Sequence, residues 1–200
     1  SRGLGDVYKR QTAAALKEFI ETHYKQVKEV IICETLEEAV RGSDIISESV
    51  SVKPGQYPTY KKEWLKPGVT LIATSFFNMD KKELVSIRKV VDNWKMYEEY
   101  GIEDEEGYDE NGMRKATGCM GEEFYYMVED GLITRDSIDH LGEIIRGKKP
   151  GRKSDDEIIF VAIEGMPIED VAWGSEIYRN AVDHGIGCLL YTSPSPRDRG

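Results

Sequence analysis

Two short polar clusters follow apolar runs in this chain, and they are where its chemistry is expected. Ser49, Val50 and Ser51 come directly after DIISE, and Thr74 and Ser75 directly after VTLIA. A third junction, Ile163-Glu164, ends the run IIFVAI. In an open parallel sheet, ligands bind beyond the carboxyl ends of the strands, where hydroxyls and backbone amides are free to point outward. The competing reading of each cluster is a plain strand-exit turn. Lys81, with Asn78 and Asp80 just before it, adds polar groups close to the second cluster. His23, His140 and His184 show no metal-ligand spacing and read as helix-surface residues. The carboxylates between Gly101 and Gly118 lack an EF-hand frame and read as a solvated loop.

The elements that must hold these groups follow from periodicity and punctuation. Ala15, Leu16, Phe19 and Ile20 predict a helix over Thr12 to Tyr24. Val27 to Cys33 is a short apolar run and predicts a strand. Thr35, with Glu38 three residues on, marks a capping box for a helix ending at Gly42. Strands are predicted at Asp44–Glu48, Val69–Thr74, Lys89–Asp92 and Ile158–Ile163. Between them lie a loop at Lys53–Tyr60, a helical turn at Lys61–Leu65, a turn at Pro67-Gly68 and a short helix at Asp80–Ser86. Gly101 to Gly118 is acidic and glycine-rich, and reads as a surface insertion. Helices are predicted at Glu122–Glu129, Asp136–Ile145 and Pro167–His184, with a polar turn KKPGRKSDDE before the last strand. Strands separated by helices at this spacing indicate a parallel α/β sheet.

The two ends read differently from the middle. DNA encoding SRGLGDVYKRQ, reverse-complemented and shifted by one base, encodes CLLYTSPSPR, which is the other end of the chain. Residues 1–11 and 188–200 are therefore expected to be translated adapter DNA, leaving Thr12 to Gly187 as native sequence. On that expectation the GLG at Gly3 is not a dinucleotide loop, and Cys188 is not native. Lys and Arg fall from 27 to 22 and Asp and Glu from 37 to 35, so the formal charge moves from −10 to −13. Such acidity argues against a nucleic-acid partner, which needs clustered cations. No run approaches the roughly 18 apolar residues of a membrane span. Cys33 and Cys119 read as unpaired packing residues, which fits a reducing, cytoplasmic compartment.

Four stretches in order resemble the ornithine cyclodeaminase/mu-crystallin family: TLEEAVRGSDIISESVS, WLKPGVTLIATSFFNMDKKEL, LGEIIRGKKPGRKSDDEIIF and EGMPIEDVAWGSEIYRNAVDHGIG. Within it, SFFNMD and EGMPIEDVAW are similar to a bacterial branch that takes its name from tyramine oxidase. The resemblance implies an incomplete Rossmann-type parallel sheet, the second half of a dinucleotide-binding domain at 12–100. The acidic insertion at 101–120 follows, and the end of that domain with its C-terminal helix at 121–187. The G-x-G-x-x-G fingerprint and its acidic ribose partner belong to the earlier half of such a domain and are not seen here. The family's cofactor is NAD or NADP, its members form dimers, and its substrates are small amino or imino acids. The strand-end positions and the resemblance together assign Ser49, Val50, Ser51, Thr74, Ser75, Lys81 and Ile163 to the cofactor and Glu164 to the cofactor and substrate loop. There a Ser-Val-Gly stretch is usual and IEG stands here.

One position departs from the family. Matched without gaps from Pro67-Gly68 to Glu83-Leu84, the aspartate that serves proton transfer in the cyclodeaminases falls on Phe77. A phenyl ring neither accepts nor donates a proton. No catalytic residue is assigned in consequence. Oxidoreductase or deaminase-like chemistry on an amino, imino or keto acid is the leading expectation, in a longer parent protein. A non-catalytic binding protein of the mu-crystallin type is the alternative. The chain by itself, lacking the glycine loop, is expected not to bind the dinucleotide. Glu169 and Asp170 are expected in the first turn of the last helix, where carboxylates favour the helix dipole. Trp94 and Trp173 read as core or as lining of an aromatic pocket.

Overall fold

A computed structural model describes residues 4–50, 56–103 and 118–188. Five parallel strands form the main sheet: β1 Ile45–Glu48, β3 Thr70–Ala73, β5 Arg88–Val91, β6 Ile138–His140 and β7 Ile159–Ala162. Their spatial order is β1-β3-β7-β5-β6. A second, two-stranded parallel ladder joins β2 Thr59–Tyr60 to β4 Asn78–Met79. The helices are α1 Leu4–His23, α2 Leu36–Val40, α3 Lys81–Val85, α4 Trp94–Glu103, α5 Met120–Glu129, α6 Leu141–Ile145 and α7 Pro167–Asp183. The fold class is α/β, as the alternation of strand and helix signals predicted.

The capping box is realised in both directions. Thr35 Oγ1 accepts from Glu38 N–H at 3.2 Å, and Glu38 Oε2 accepts from Thr35 N–H at 3.3 Å. The two orphan donors at this helix start are satisfied reciprocally. Pro167 at the start of α7 and Glu169 and Asp170 in its first turn also stand as predicted.

Four predictions are corrected. Val27–Cys33 makes no strand. A strand exists only with a hydrogen-bonding neighbour, and this segment forms a ladder with none of the described strands; Ile31 is left 70% exposed. Cys33 is exposed too, so it is not a packing residue. The helix predicted over Asp136–Ile145 is broken into a 3-10 turn at Arg135–Ser137, then β6, then α6. Ile138 and Asp139 pair with Lys89 and Val90, so a sheet edge overrides the local helical pattern. α1 starts at Leu4 rather than Thr12, because the residues ahead of Thr12 are themselves helical. α4 lies where no element was expected.

The core forms an aromatic chain across one face of the sheet. Tyr60 stacks on Phe77 at 3.7 Å between ring centroids, Phe77 meets Phe160 edge-on at 5.1 Å, and Phe160 meets Phe124 at 5.4 Å. Phe77, Phe124 and Phe160 are all fully buried. Lys89, also buried, caps the turn after α3. Its Nζ donates to Leu84 O at 2.7 Å and Ile87 O at 2.8 Å, and burial holds its pKa down to about 8. Arg88 begins β5 and clamps the polar turn and the edge strand together. Its guanidinium donates to Asp139 Oδ2 at 2.9 Å, Glu157 Oε2 at 3.2 Å and the carbonyl of Pro150 at 2.8 Å.

Helices α4 and α5 meet through glycine on both sides. A Cβ at Gly121 would stand 2.1 Å from the ring of Tyr97, and one at Gly101 would stand 2.1 Å from the ring of Tyr125. Tyr97 is completely buried and has no open space to retreat into. Gly121→Ala is therefore expected to destabilise the protein by about 1–3 kcal/mol despite the better helix propensity of alanine. Urea melts of the variant check this, and an unchanged or higher midpoint would refute the close contact.

Candidate functional site

The five strands of the main sheet end level with one another. Glu48 is opposite Ala73, Ala73 opposite Ala162, and Ala162 opposite Val91, which pairs with His140. The residues that follow are therefore neighbours. Ser49 and Val50 leave β1, Thr74 and Ser75 leave β3, and Ile163 leaves β7. Backbone bonds carry the registry past the strand ends. Thr74 N–H donates to Glu48 O at 3.1 Å, and Ile163 N–H donates to Ala73 O at 3.0 Å. Five of the predicted positions are thus brought to one edge of three adjacent strands. Ser51 lies outside the described residues.

Glu48 organises this edge. It alternates with Ile46 on the inward face of β1 and is 2% exposed. Its Oε1 accepts from Val50 N–H at 3.0 Å, and its Oε2 accepts from Ser75 Oγ at 2.5 Å. One carboxylate thus ties the exit of β1 to the exit of β3. Its charge is felt nearby: burial, then Glu48, push the Tyr60 hydroxyl up to about 12. Sequence reasoning passed over Glu48, although a charged residue on the apolar side of a two-residue alternation was a visible signal.

Asp92 extends the edge on the other side. Its Oδ1 accepts from Asn93 N–H at 2.8 Å and from Tyr97 OH at 2.7 Å. His140 ends β6 half-buried, which corrects its reading as a helix-surface residue. Its Nε2 lies 2.6 Å from an Arg135 nitrogen, and that guanidinium lies 4.7 Å from the centre of the Trp94 ring. Trp94 is core, with its indole nitrogen buried and unpaired, whereas Trp173 is 70% exposed. His23 and His184 cap helix ends by bonding Phe19 O and Asn180 O.

Other predicted residues stand apart from the strand-exit cluster. Lys81 Nζ is 2.9 Å from Glu123 Oε1, so it ties α3 to α5. Phe77 is sealed in the aromatic core, so the departure there is a packing residue and offers no group for proton transfer. Asp80 caps α3 through Lys82 N–H at 2.8 Å, and Asn78 bonds Thr59 Oγ1 at 2.8 Å. Glu164 is exposed and begins the second of two compact units, Glu164–Gly200, the first being Ser1–Ile163. Among the described residues, no group of three His, Cys, Asp or Glu side chains converges as a metal site. No described helix is long and apolar enough to cross a membrane.

The profile of the ornithine cyclodeaminase/mu-crystallin family matches residues 6–185. The chain belongs to the ornithine cyclodeaminase/mu-crystallin family. It is 26% identical over 184 residues to the N-((2S)-2-amino-2-carboxyethyl)-L-glutamate dehydrogenase of Staphylococcus aureus, covering 90% of this chain and 48% of that protein. Its fold is that of an archaeal alanine dehydrogenase dimer with bound NAD, at TM-score 0.62 and 24% identity, covering 88% of this chain and 49% of that one. It also matches the Thermococcus litoralis Δ1-pyrroline-2-carboxylate reductase in complex with NADH and L-proline. There the TM-score is 0.56 and the identity 22%, over 79% of this chain and 44% of the other. The chain thus spans about half the length of the relatives it matches. The family match begins at residue 6, inside the stretch expected to be adapter-encoded.

Within this family member, His140 gives a pH signature. Burial first, and the Arg135 charge second, lower its pKa below the ordinary 6.5. A depressed histidine leaves the unfolded chain binding more protons, so stability is intact above about pH 6.5 and is lost as pH falls below it. His140→Gln, which keeps an acceptor for Arg135, is expected to flatten the loss between about pH 7 and about pH 5. Urea melts at both pH values check it; equal slopes for variant and parent would sink the idea.

Proposed function

We propose that this chain carries the nicotinamide-side half of an NAD(P)-dependent oxidoreductase site for a small amino or imino acid. One observation carries the reading: three adjacent parallel strands bring Ser49, Val50, Thr74, Ser75 and Ile163 to a single edge. That is the edge where open α/β sheets bind ligands. The residues present suit such a cofactor. Thr74 is exposed and Ser75 half-buried, so hydroxyl-bearing residues stand at the end of an apolar sheet. When bound, the nicotinamide supplies hydride transfer to or from the substrate Cα. This chain's part is to orient the ring and to keep water from beneath it. The relatives support the substrate class, being a dehydrogenase of an amino-acid adduct, an alanine dehydrogenase and an imino-acid reductase.

A homodimer is the proposed assembly of the whole protein, on the precedent of the alanine dehydrogenase. The adenosine half of the cofactor calls for a glycine fingerprint, and the sequence contains no G-x-G-x-x-G. Phe77 favours a second reading, a cofactor and small-ligand binding protein without turnover, because no proton-transfer group stands at that position. NADH oxidation with pyruvate and ammonia, or with a cyclic imino acid, in a protein containing both halves separates the two.

The chain itself is tested with reduced nicotinamide mononucleotide at millimolar concentration, followed by amide chemical shifts. Shifts clustered at Ser49, Val50, Thr74, Ser75 and Ile163 are expected. Any NADH binding is expected to be no more than about threefold tighter than that of the mononucleotide, since the adenosine half lacks its glycine loop. Shifts scattered over other surfaces would defeat the proposed placement, and much tighter NADH binding would defeat the division into halves.

A further inference from the structure

A serine hydroxyl has one proton to give and two lone pairs to offer. At Ser75 the proton is spoken for. Its Oγ lies 2.5 Å from Glu48 Oε2, and 3.2 Å from the carbonyl of Val50. The shorter contact is to a carboxylate, and charge-assisted bonds of that kind are about twice as strong as neutral ones. Glu48 cannot swing away, because it is 2% exposed and its other oxygen is held by Val50 N–H at 3.0 Å. Among the described residues no lysine or arginine pairs with it, so its strongest bonds are to the two strand exits. Burying a carboxylate on those terms is costly unless its position is used.

We propose that Glu48 is a positioning residue that turns Ser75 into a dedicated acceptor for an N–H donor of the bound ligand. This rests on the cofactor reading above and deepens it. With its proton directed inward to Glu48, Ser75 has only lone pairs for whatever lies above the exit of β3. Two groups of the proposed chemistry carry such a donor: the carboxamide of a nicotinamide, and the protonated nitrogen of an amino or imino acid. The same carboxylate holds the exits of β1 and β3 together, so the acceptor is fixed relative to Ser49 and Val50 on one side and Ile163 on the other. A ligand presenting an acceptor in place of the N–H meets a lone pair instead of a proton and is rejected, as sites built around one buried hydrogen bond do.

Paired probes on the full chain test this by amide-shift titration. Reduced nicotinamide mononucleotide is compared with its acetylpyridine counterpart, which has a methyl in place of the carboxamide nitrogen. Δ1-Pyrroline-2-carboxylate is compared with cyclopentanecarboxylate, which has no nitrogen. The unaltered chain is expected to prefer the N–H form by about tenfold in one pair. The pair showing the preference identifies the donor as cofactor or as substrate, and either supports the proposal. Ser75→Ala is expected to abolish the preference. Glu48→Gln keeps the shape but lets its amide donate to a Ser75 lone pair and leaves the serine proton only the longer contact to Val50 O at 3.2 Å, so the preference is expected to fall at least several-fold. Thermal melts confirm that both variants are folded, and Ser75→Cys serves as a second substitution if Ser75→Ala is not.

A preference that survives Ser75→Ala overturns the proposal, as does one left whole in Glu48→Gln, or equal binding within both pairs. If the unaltered chain responds to none of the four probes, the cofactor reading itself fails and the acceptor role falls with it. That outcome is told apart from the others by appearing before any variant is made.

Discussion

The sheet depends on β7. It is the last strand along the described chain, yet it lies in the middle of the five, hydrogen-bonded to β3 on one side and β5 on the other. Without Ile159–Ala162 the main sheet falls into two separate strand pairs, β1 with β3 and β5 with β6, and has no common edge. Phe160 on that strand is also the hub of the aromatic core, touching Phe77 and Phe124 edge-on. Long-range pairing of this kind must wait for late residues to arrive, which makes it slow to form and cooperative to lose. The level strand exits, and therefore the proposed ligand edge, are consequences of the registry that β7 imposes.

Around that frame, buried polar groups serve as ties. Lys89 satisfies the carbonyls that end α3, Arg88 binds the edge strand to the polar turn, and Glu48 joins two strand exits. Each is bonded by backbone or by hydroxyl and carboxylate groups, as burial requires. They differ in what they tie. Lys89 and Arg88 hold elements to the sheet, whereas Glu48 holds the loops that face outward. The first two read as architecture, and the third lies where architecture meets ligand.

Much was legible before the fold was known, for local reasons. The capping box at Thr35 and Glu38, the strands β1, β3, β5 and β7 and the start of α7 at Pro167 each depend on neighbours in sequence, and each stands where predicted. The failures are equally physical. Val27–Cys33 has the composition of a strand but pairs with none of the described strands. Residues 136–145 have the periodicity of a helix but border an open sheet edge, which takes Ile138–His140 as a strand. α4 was missed because its packing relies on Gly101 and Gly121 admitting tyrosine rings, a contact that no window of sequence contains.

The residues themselves determined the family, through four ordered stretches that resemble it, and, through alternation and short-range caps, the α/β class and the hydroxyl-bearing positions after β1 and β3. They also marked Phe77 as a departure. Only the tertiary structure decided that Phe77 belongs to the core, that Lys81 is engaged by Glu123, and that Glu48 reaches across to Ser75. Those are contacts between strands and helices far apart in the chain, and they come into being only when β7 closes the sheet and sets every strand exit level with its neighbours.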